Sequence, residues 1–306
     1  MAVSRVGAKV SLIDTIGVGQ PSSIAVYAVR GEKTALIDCG HASSYENVLR
    51  GLEGLGIMPS DVDYLVPTHV HLDHGGATGH LLRKMKNARV LAHERGVPHL
   101  VDPTRLVESA TRVFGEELMS MYGRPLPVDK EKITAVGEEH FLDLGGVGLT
   151  LIHTPGHAPH QVSVLIEEER MVVTADAVGA VLPAVPAVFP TTPPPSLDPQ
   201  ELSRSVERLI QMDPKRLLAP HYGVRSDVAR VFEETQRKTL EWVESGRAMR
   251  DRHLTLDEMA EEFSKKVALE ARMRVRDLPI PAKVSIRSSA MGILHYLEKS
   301  SGQTKT

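Results

Sequence analysis

The chain has 306 residues, enough for a full core and an appendage. With 42% hydrophobic and 25% charged residues it lies in the ordinary globular range, and a net charge of −3 argues against disorder and against bulk affinity for nucleic acid. A single cysteine, Cys39, excludes an internal disulfide and a multi-thiolate zinc site, so any metal must be held by the fourteen histidines and by carboxylates.

The amino terminus has no long apolar run, and no stretch approaches the length of a membrane span, so a cytoplasmic protein is expected. Scarce Asn and Cys with abundant charge suit a thermophile. Short β-branched runs at Lys9–Ile13, Ser22–Val29 and Thr34–Asp38, broken by glycines, predict a meander of strands. Helical spacing follows over Tyr45–Leu55, and the apolar run Tyr64-Leu65-Val66 predicts a strand that delivers Thr68-His69-Val70-His71. Beyond it come a helix near Thr78–Met85, a strand at Arg89–Ala92 and a helix from about Thr104 to Met121. Strands at Val147–His153 and Gln161–Ile166 bracket the turn Thr154-Pro155-Gly156-His157, and Met171–Thr174 leads into Ala175-Asp176.

Residues 181–199 hold seven prolines among Val181, Leu182, Val185, Val188 and Phe189, a stiff segment suited to a wall or lid or to a rigid connector. A helix over Pro199–Met212, a strand at Arg216–Ala219 opening onto Pro220-His221-Tyr222, and a helix over Ser226–Glu244 complete a first domain, 1–246. Residues 247–306 read as a helical extension with twelve Lys/Arg against eight Asp/Glu, a net +4, which leaves −7 on the rest. Thr255 to Glu258 form a capping box, and Leu256, Met259, Ala260, Phe263 and Val267 give the next helix one apolar stripe that needs a partner surface, in cis or on another subunit. A linker at Pro279–Pro281 and a last helix over Ser289–Lys299 follow. A homo-oligomer through these helices is expected, with a small-molecule substrate and no nucleic-acid partner, because Phe263 and Tyr296 are the region's only aromatic residues.

The strongest chemical signal is His69-x-His71-x-Asp73-His74-Gly75-Gly76. On a strand, residues two apart face the same way, so His69 and His71 can bite one ion while the loop turns Asp73 and His74 to a second. His157, Asp176 and His221 each stand where an expected strand runs out into a loop, the usual place for ligands on a rigid scaffold. Imidazoles suit Zn and Fe, and a carboxylate can span a pair of ions about 3.5–4 Å apart.

This set, with His153-Thr154-Pro155-Gly156-His157 and Pro220-His221, resembles the metallo-β-lactamase superfamily over roughly residues 8–245. The resemblance implies an α/β fold, a four-layer αββα sandwich here followed by the helical extension, and a site for two divalent ions, Zn first, with Fe or Mn as alternatives. It implies that His69, His71 and His157 hold the first ion, Asp73, His74 and His221 the second, and that Asp176 bridges them. Asp73 could also orient a metal-bound hydroxide or shuttle a proton. Asp38, His153 and His160 are candidates to support the ligands, and Phe189 and Tyr222 to line a substrate site.

The reaction implied is hydrolysis of an ester-like substrate, a carboxylic ester, thioester or lactone, with phosphodiester or phosphotriester hydrolysis as the alternative. The flavodiiron branch carries Glu where this chain has His71, and processing nucleases usually carry a large insertion or appended domain with nucleic-acid contacts, without a comparably large basic insertion here. Glyoxalase II enzymes have a basic helical carboxyl-terminal segment, as this chain does, although their specific motif is not matched. From another class, a mononuclear iron oxidoreductase resembling the persulfide dioxygenases shares the histidine set.

Overall fold

Four segments, β1 (Val3–Arg5), β2 (Val10–Asp14), β3 (Ala25–Arg30) and β4 (Thr34–Ile37), pair antiparallel in sequence order; β2 to β4 are the expected meander, and β1 adds a further strand to it. The structure, a computed structural model, describes residues 3–303. After β4 the pairing becomes parallel, and parallel neighbours need crossovers. These are α1 (Tyr45–Gly54) before β5 (Val62–Val66), α2 (Thr78–Lys84) before β6 (Arg89–His93), and α3 (Val97–Val101) with α4 (Thr104–Tyr122) before β7 (Ile133–Val136). The seven strands form one sheet in the order β1 to β7.

A second sheet has the order β13-β12-β11-β10-β9-β8. Its strands are β8 (Glu139–Asp143), β9 (Gly148–His153), β10 (Val162–Ile166), β11 (Met171–Val173), β12 (Arg216–Ala219) and β13 (Gly223–Arg225), with only β11 and β12 parallel. Both sheets contribute to one buried cluster that includes Leu12, Tyr27, Ile37, Leu149, Val164 and Leu218. The other face of the first sheet carries Ile13, Val26 and Leu36 against Val48 and Leu52 of α1 and Leu81 of α2. Each fully buried aliphatic side chain of this kind contributes about 1.5–3 kcal/mol. Strands β1, β7, β8 and β13 were not expected, because they are short and at least half their residues are not buried, which weakens the apolar signal.

One expectation about the signature needs correction. The strand β5 ends at Val66, and His69 to Gly76 lie in bends and turns held by His74 N–H and Gly75 N–H donating to the His71 carbonyl at 3.0 and 2.8 Å. Loop curvature, and not strand alternation, therefore sets the spacing of His69 and His71. A side chain at Gly76 would put its Cβ 2.2 Å from the Leu72 carbonyl, so the turn requires glycine there.

The chain divides into two compact units. The first runs to His153 and adds His160–Ala175 and Asp213–Ser226, and so holds both sheets and α1 to α4. The second comprises Thr154–Pro159, Asp176–Met212 and the chain from Asp227 onward. Its helices are α5 (Pro199–Gln211), α6 (Val228–Asp251), α7 (Leu256–Glu270) and α8 (Ile280–Gln303). Helix α6 runs unbroken through residue 246, the expected domain boundary. Two sheets with helices and a helical carboxyl-terminal region agree with the αββα fold class.

Within the second unit, Asp198 caps α5 by accepting from Gln200 and Glu201 N–H, and the Thr255–Glu258 capping box opens α7 as expected. The α7 stripe finds its partner in cis: Met259, Phe263 and Val267 pack with Trp242 of α6 and with Ala282, Ile286 and Ile293 of α8. Trp242 and Phe263 stack at 4.1 Å. Residues 279–281 are not a linker, for α8 already starts at Ile280, and a proline is tolerated in a first turn whose N–H groups have no helical partner.

The proline-rich segment joins the same cluster through Val185 and Phe189. Lys238, buried on α6, donates to the Val188 carbonyl at 2.8 Å and pairs with Glu234 and Glu270. Gly156 has φ 120°, and a Cβ there would lie 2.3 Å from Leu202 N. Gly156→Ala is expected to cost well over about 1 kcal/mol, read as a lower urea midpoint at unchanged slope.

Candidate metal centre

In the first unit, Asp38 organises the signature. Its Oδ1 accepts from Thr68 N–H at 2.9 Å and from the Thr68 hydroxyl at 2.7 Å, and its Oδ2 accepts from His74 Nδ1–H at 2.9 Å. Asp38 and His74 side chains are both wholly buried. With Nδ1 protonated, His74 presents the Nε2 lone pair, which lies 3.5 Å from Asp73 Oδ2. Across from it, His221 Nε2 lies 3.6 Å from the same oxygen. Asp73, His74 and His221 thus offer three ligand atoms within 4.8 Å of one another.

The Thr68 hydroxyl, committed as donor to Asp38, can accept from His69 Nδ1–H at 3.1 Å, a tautomer that leaves the lone pair on His69 Nε2. That nitrogen lies 3.0 Å from His71 Nδ1. Two nitrogens bound tetrahedrally to one zinc at its usual bond length stand about 3.3 Å apart, so the pair fits a shared ion.

The second unit supplies the other two candidates. His157 follows the Pro155-Gly156 turn, and its Nδ1–H donates to the Thr191 carbonyl at 2.8 Å. Its Nε2 lies 3.5 Å from Asp176 Oδ2, with both side chains buried. Here too the backbone partner selects the tautomer that a metal needs.

A profile of the metallo-beta-lactamase superfamily matches residues 16–221, which takes in every one of these side chains. The chain belongs to that superfamily. It is 35% identical over 225 residues to the metallo-beta-lactamase fold-containing protein ST1585 of Sulfurisphaera tokodaii, covering 72% of this chain and 80% of the relative. The crystal structure of ST1585 aligns with a TM-score of 0.62 at 31% identity, over 76% of this chain and 86% of the other. The metallo-beta-lactamase family protein TTHA1429 from Thermus thermophilus shares the fold over 97% of this chain and 95% of its own, with a TM-score of 0.70 and 22% identity. A more distant relative is the N-acyl homoserine lactonase AttM of Azorhizobium caulinodans, 28% identical over 135 residues, 43% of this chain and 47% of that protein. The superfamily typically binds divalent metals, and the His/Asp clusters of this member are of the right composition.

The remaining sequence candidates fall in different surroundings. His160 is buried, its ring 6.3 Å from that of His69 and 6.0 Å from that of His71. His153 pairs with Glu138 at 2.9 Å and stacks on His93 at 4.0 Å, a second His/Glu cluster that the spacing argument did not single out. Phe189 is wholly buried among the helices of the second unit. Tyr222 is half-buried on the inter-sheet cluster, its phenol raised by burial and by Asp14. Burial pushes the Cys39 thiol up to about 12, which removes it as a nucleophile.

Three residues beside the site occupy left-handed backbone without being glycine: Asp38 at φ 64°, Ala175 at φ 49° just before Asp176, and Tyr222 at φ 121° just after His221. Such conformations cost about 1–3 kcal/mol each and mark places where surrounding packing over-determines the chain.

His41, which had no spacing argument, is buried against Tyr122 with ring centroids 4.5 Å apart. Burial lowers its pKa from 6.5 to about 4, against an upward pull from Asp73. The folded protein therefore binds fewer protons than the unfolded chain between those values, and its stability falls as the pH drops through that window. The shift corresponds to stabilisation on the order of 3 kcal/mol at neutral pH, lost by the acid end. In chelator-treated protein, His41→Gln is expected to flatten the loss between pH 6.5 and 4, measured by urea unfolding at stepped pH; an unchanged slope would assign the acid sensitivity elsewhere.

Proposed function

We propose that this superfamily member is a binuclear metal-dependent hydrolase acting on a carboxylic ester, thioester or lactone. In this reading His69, His71 and His157 hold one ion, Asp73, His74 and His221 hold the other, and Asp176 bridges the pair. The observation that carries it is the Asp73, His74 and His221 group, whose ligand atoms converge while Asp38 holds His74 in the ligating tautomer. Support for hydrolysis comes from the likeness to a lactonase, and support against the flavodiiron alternative from His71 in place of its glutamate.

When bound, two such ions supply a hydroxide at neutral pH and a Lewis acid for the ester oxygen. The chain's own part is positional. Asp38 fixes His74 directly and His69 through Thr68, so both imidazoles are oriented before any ion arrives. Asp73 is 28% exposed while the Asp38 and Asp176 carboxylates are buried, so among these acids Asp73 is the one able to exchange a proton with a substrate side or solvent.

The test is a substrate panel on metal-quantified protein: p-nitrophenyl esters, acyl-glutathione thioesters, lactones, phosphodiesters and phosphotriesters. Two ions per chain with turnover of an ester, thioester or lactone is the expected result. One iron per chain with oxygen consumption overturns it, and turnover confined to phosphoesters replaces the substrate class.

A further inference from the structure

Helix α8 reaches the candidate ligand His157 through three consecutive residues of the proline-rich segment. His157 Nδ1–H donates to the Thr191 carbonyl, so the placement of that one carbonyl sets both the tautomer and the plane of the ring. Thr191 is gripped from both sides by Ser289 of α8. The Ser289 hydroxyl donates to the Pro190 carbonyl at 2.8 Å and accepts from Thr192 N–H at 3.1 Å. The Thr192 hydroxyl in turn donates to the Ser289 carbonyl at 3.4 Å. Ser289, Thr191 and Thr192 are all buried, at 1, 5 and 1% exposure, so these bonds have no water to exchange with.

One turn further along α8, Gly292 lies so close to the same segment that a Cβ would come 1.8 Å from the Thr192 carbonyl oxygen. The Thr191 hydroxyl also donates to the Val178 carbonyl at 3.3 Å, two residues beyond Asp176. The segment between Asp176 and α5 is thereby tied to both acidic and imidazole candidates of the second unit and anchored on α8.

We infer that Ser289 is a positioning residue for the metal ligand His157, and that the carboxyl-terminal helix is a brace for the metal site. This rests on the reading of His157 as a ligand. Ser289 touches neither ion nor substrate; it acts by holding the Thr191 carbonyl where His157 Nδ1–H meets it. Direct partners of ligating imidazoles, here the Thr191 carbonyl, are worth about 10–100-fold in metal affinity, which sets the upper range for a residue that holds that carbonyl.

The experiment uses full-length wild type, Ser289→Ala and Ser289→Thr, each titrated with Co²⁺ against a chromophoric chelator, with visible spectra and thermal melts of the metal-free proteins. Wild type is expected to take two ions. Ser289→Ala is expected to weaken one of them by about 10-fold, and by no more than about 100-fold, and to shift its visible bands, leaving the other ion in place, while Ser289→Thr keeps the hydroxyl and the wild-type spectrum. A lower melting temperature in Ser289→Ala with both affinities and the spectrum unchanged means a merely structural serine and overturns the brace. If Ser289→Ala does not fold, the 15N signals of His157 in metal-free wild type and Ser289→Thr decide it: a single Nδ1–H tautomer in both supports the brace, and a tautomer mixture in wild type overturns it. A wild type that takes no divalent ion overturns the metal reading itself, and the brace with it.

Discussion

Asp38→Asn is expected to lose metal from the Asp73, His74 and His221 group while the fold survives. The amide can still accept from Thr68 N–H and the Thr68 hydroxyl through its one oxygen, so the turn into the signature keeps its two bonds. The NH₂ group then faces His74 Nδ1, where the carboxylate had accepted a proton at 2.9 Å. Two donors cannot share that contact. The imidazole is driven to carry its proton on Nε2, the nitrogen that faces Asp73, and a protonated nitrogen cannot ligate. Metal affinity at this group should fall by about 10–100-fold. Asp38→Ala adds a stability loss, since buried donors on Thr68 and His74 lose their acceptor at about 1–3 kcal/mol each. Metal content after gel filtration and urea midpoints of the metal-free proteins separate the two effects. Asp38→Asn with two tightly held ions would refute the tautomer argument.

The reach of Asp38 also shows what could be learned from the chain before its structure. The spacing His69-x-His71-x-Asp73-His74 is legible because the chemistry of a metal pair needs those side chains within a few residues, whatever the backbone does. The backbone reason was different from the one expected, since a turn closed on the His71 carbonyl does the work assigned to a strand. Asp38 could be suspected from its place at the end of β4, yet its three contacts at sequence separations of 30 and 36 exist only once β4 and β5 pair. His41 and the Glu138 partner of His153 left no local trace at all, because neither sits at a spacing that a helix or strand would repeat. The α7 stripe was visible as a stripe, but its covering by α6 and α8 depends on non-local packing that periodicity does not encode. The largest failure of the same kind is Ser289, an ordinary helical serine in sequence, whose partners lie 97 and 99 residues away.

Asp176→Ala is expected to have the largest effect on activity and an opposite effect on the metal-free fold. Its carboxylate is buried, 3.5 Å from His157 Nε2, and in the proposed site it bridges two ions. Without the bridge, the mutual repulsion of two divalent charges at about 3.5–4 Å loses its main protein counter-charge, so stoichiometry should drop below two and hydrolysis should fall by at least about 10²-fold. Burying a carboxylate is costly, and bound ions offset part of that cost. Asp176→Ala should accordingly raise the melting temperature of chelator-treated protein while lowering the gain that added metal brings, the reverse of what loss of a structural ion pair does. Melts with and without chelator, alongside metal content and ester turnover, read all three effects on one preparation. Retention of both ions and full rate in Asp176→Ala removes the bridging role, and a fall in the metal-free melting temperature assigns the buried carboxylate to the fold instead.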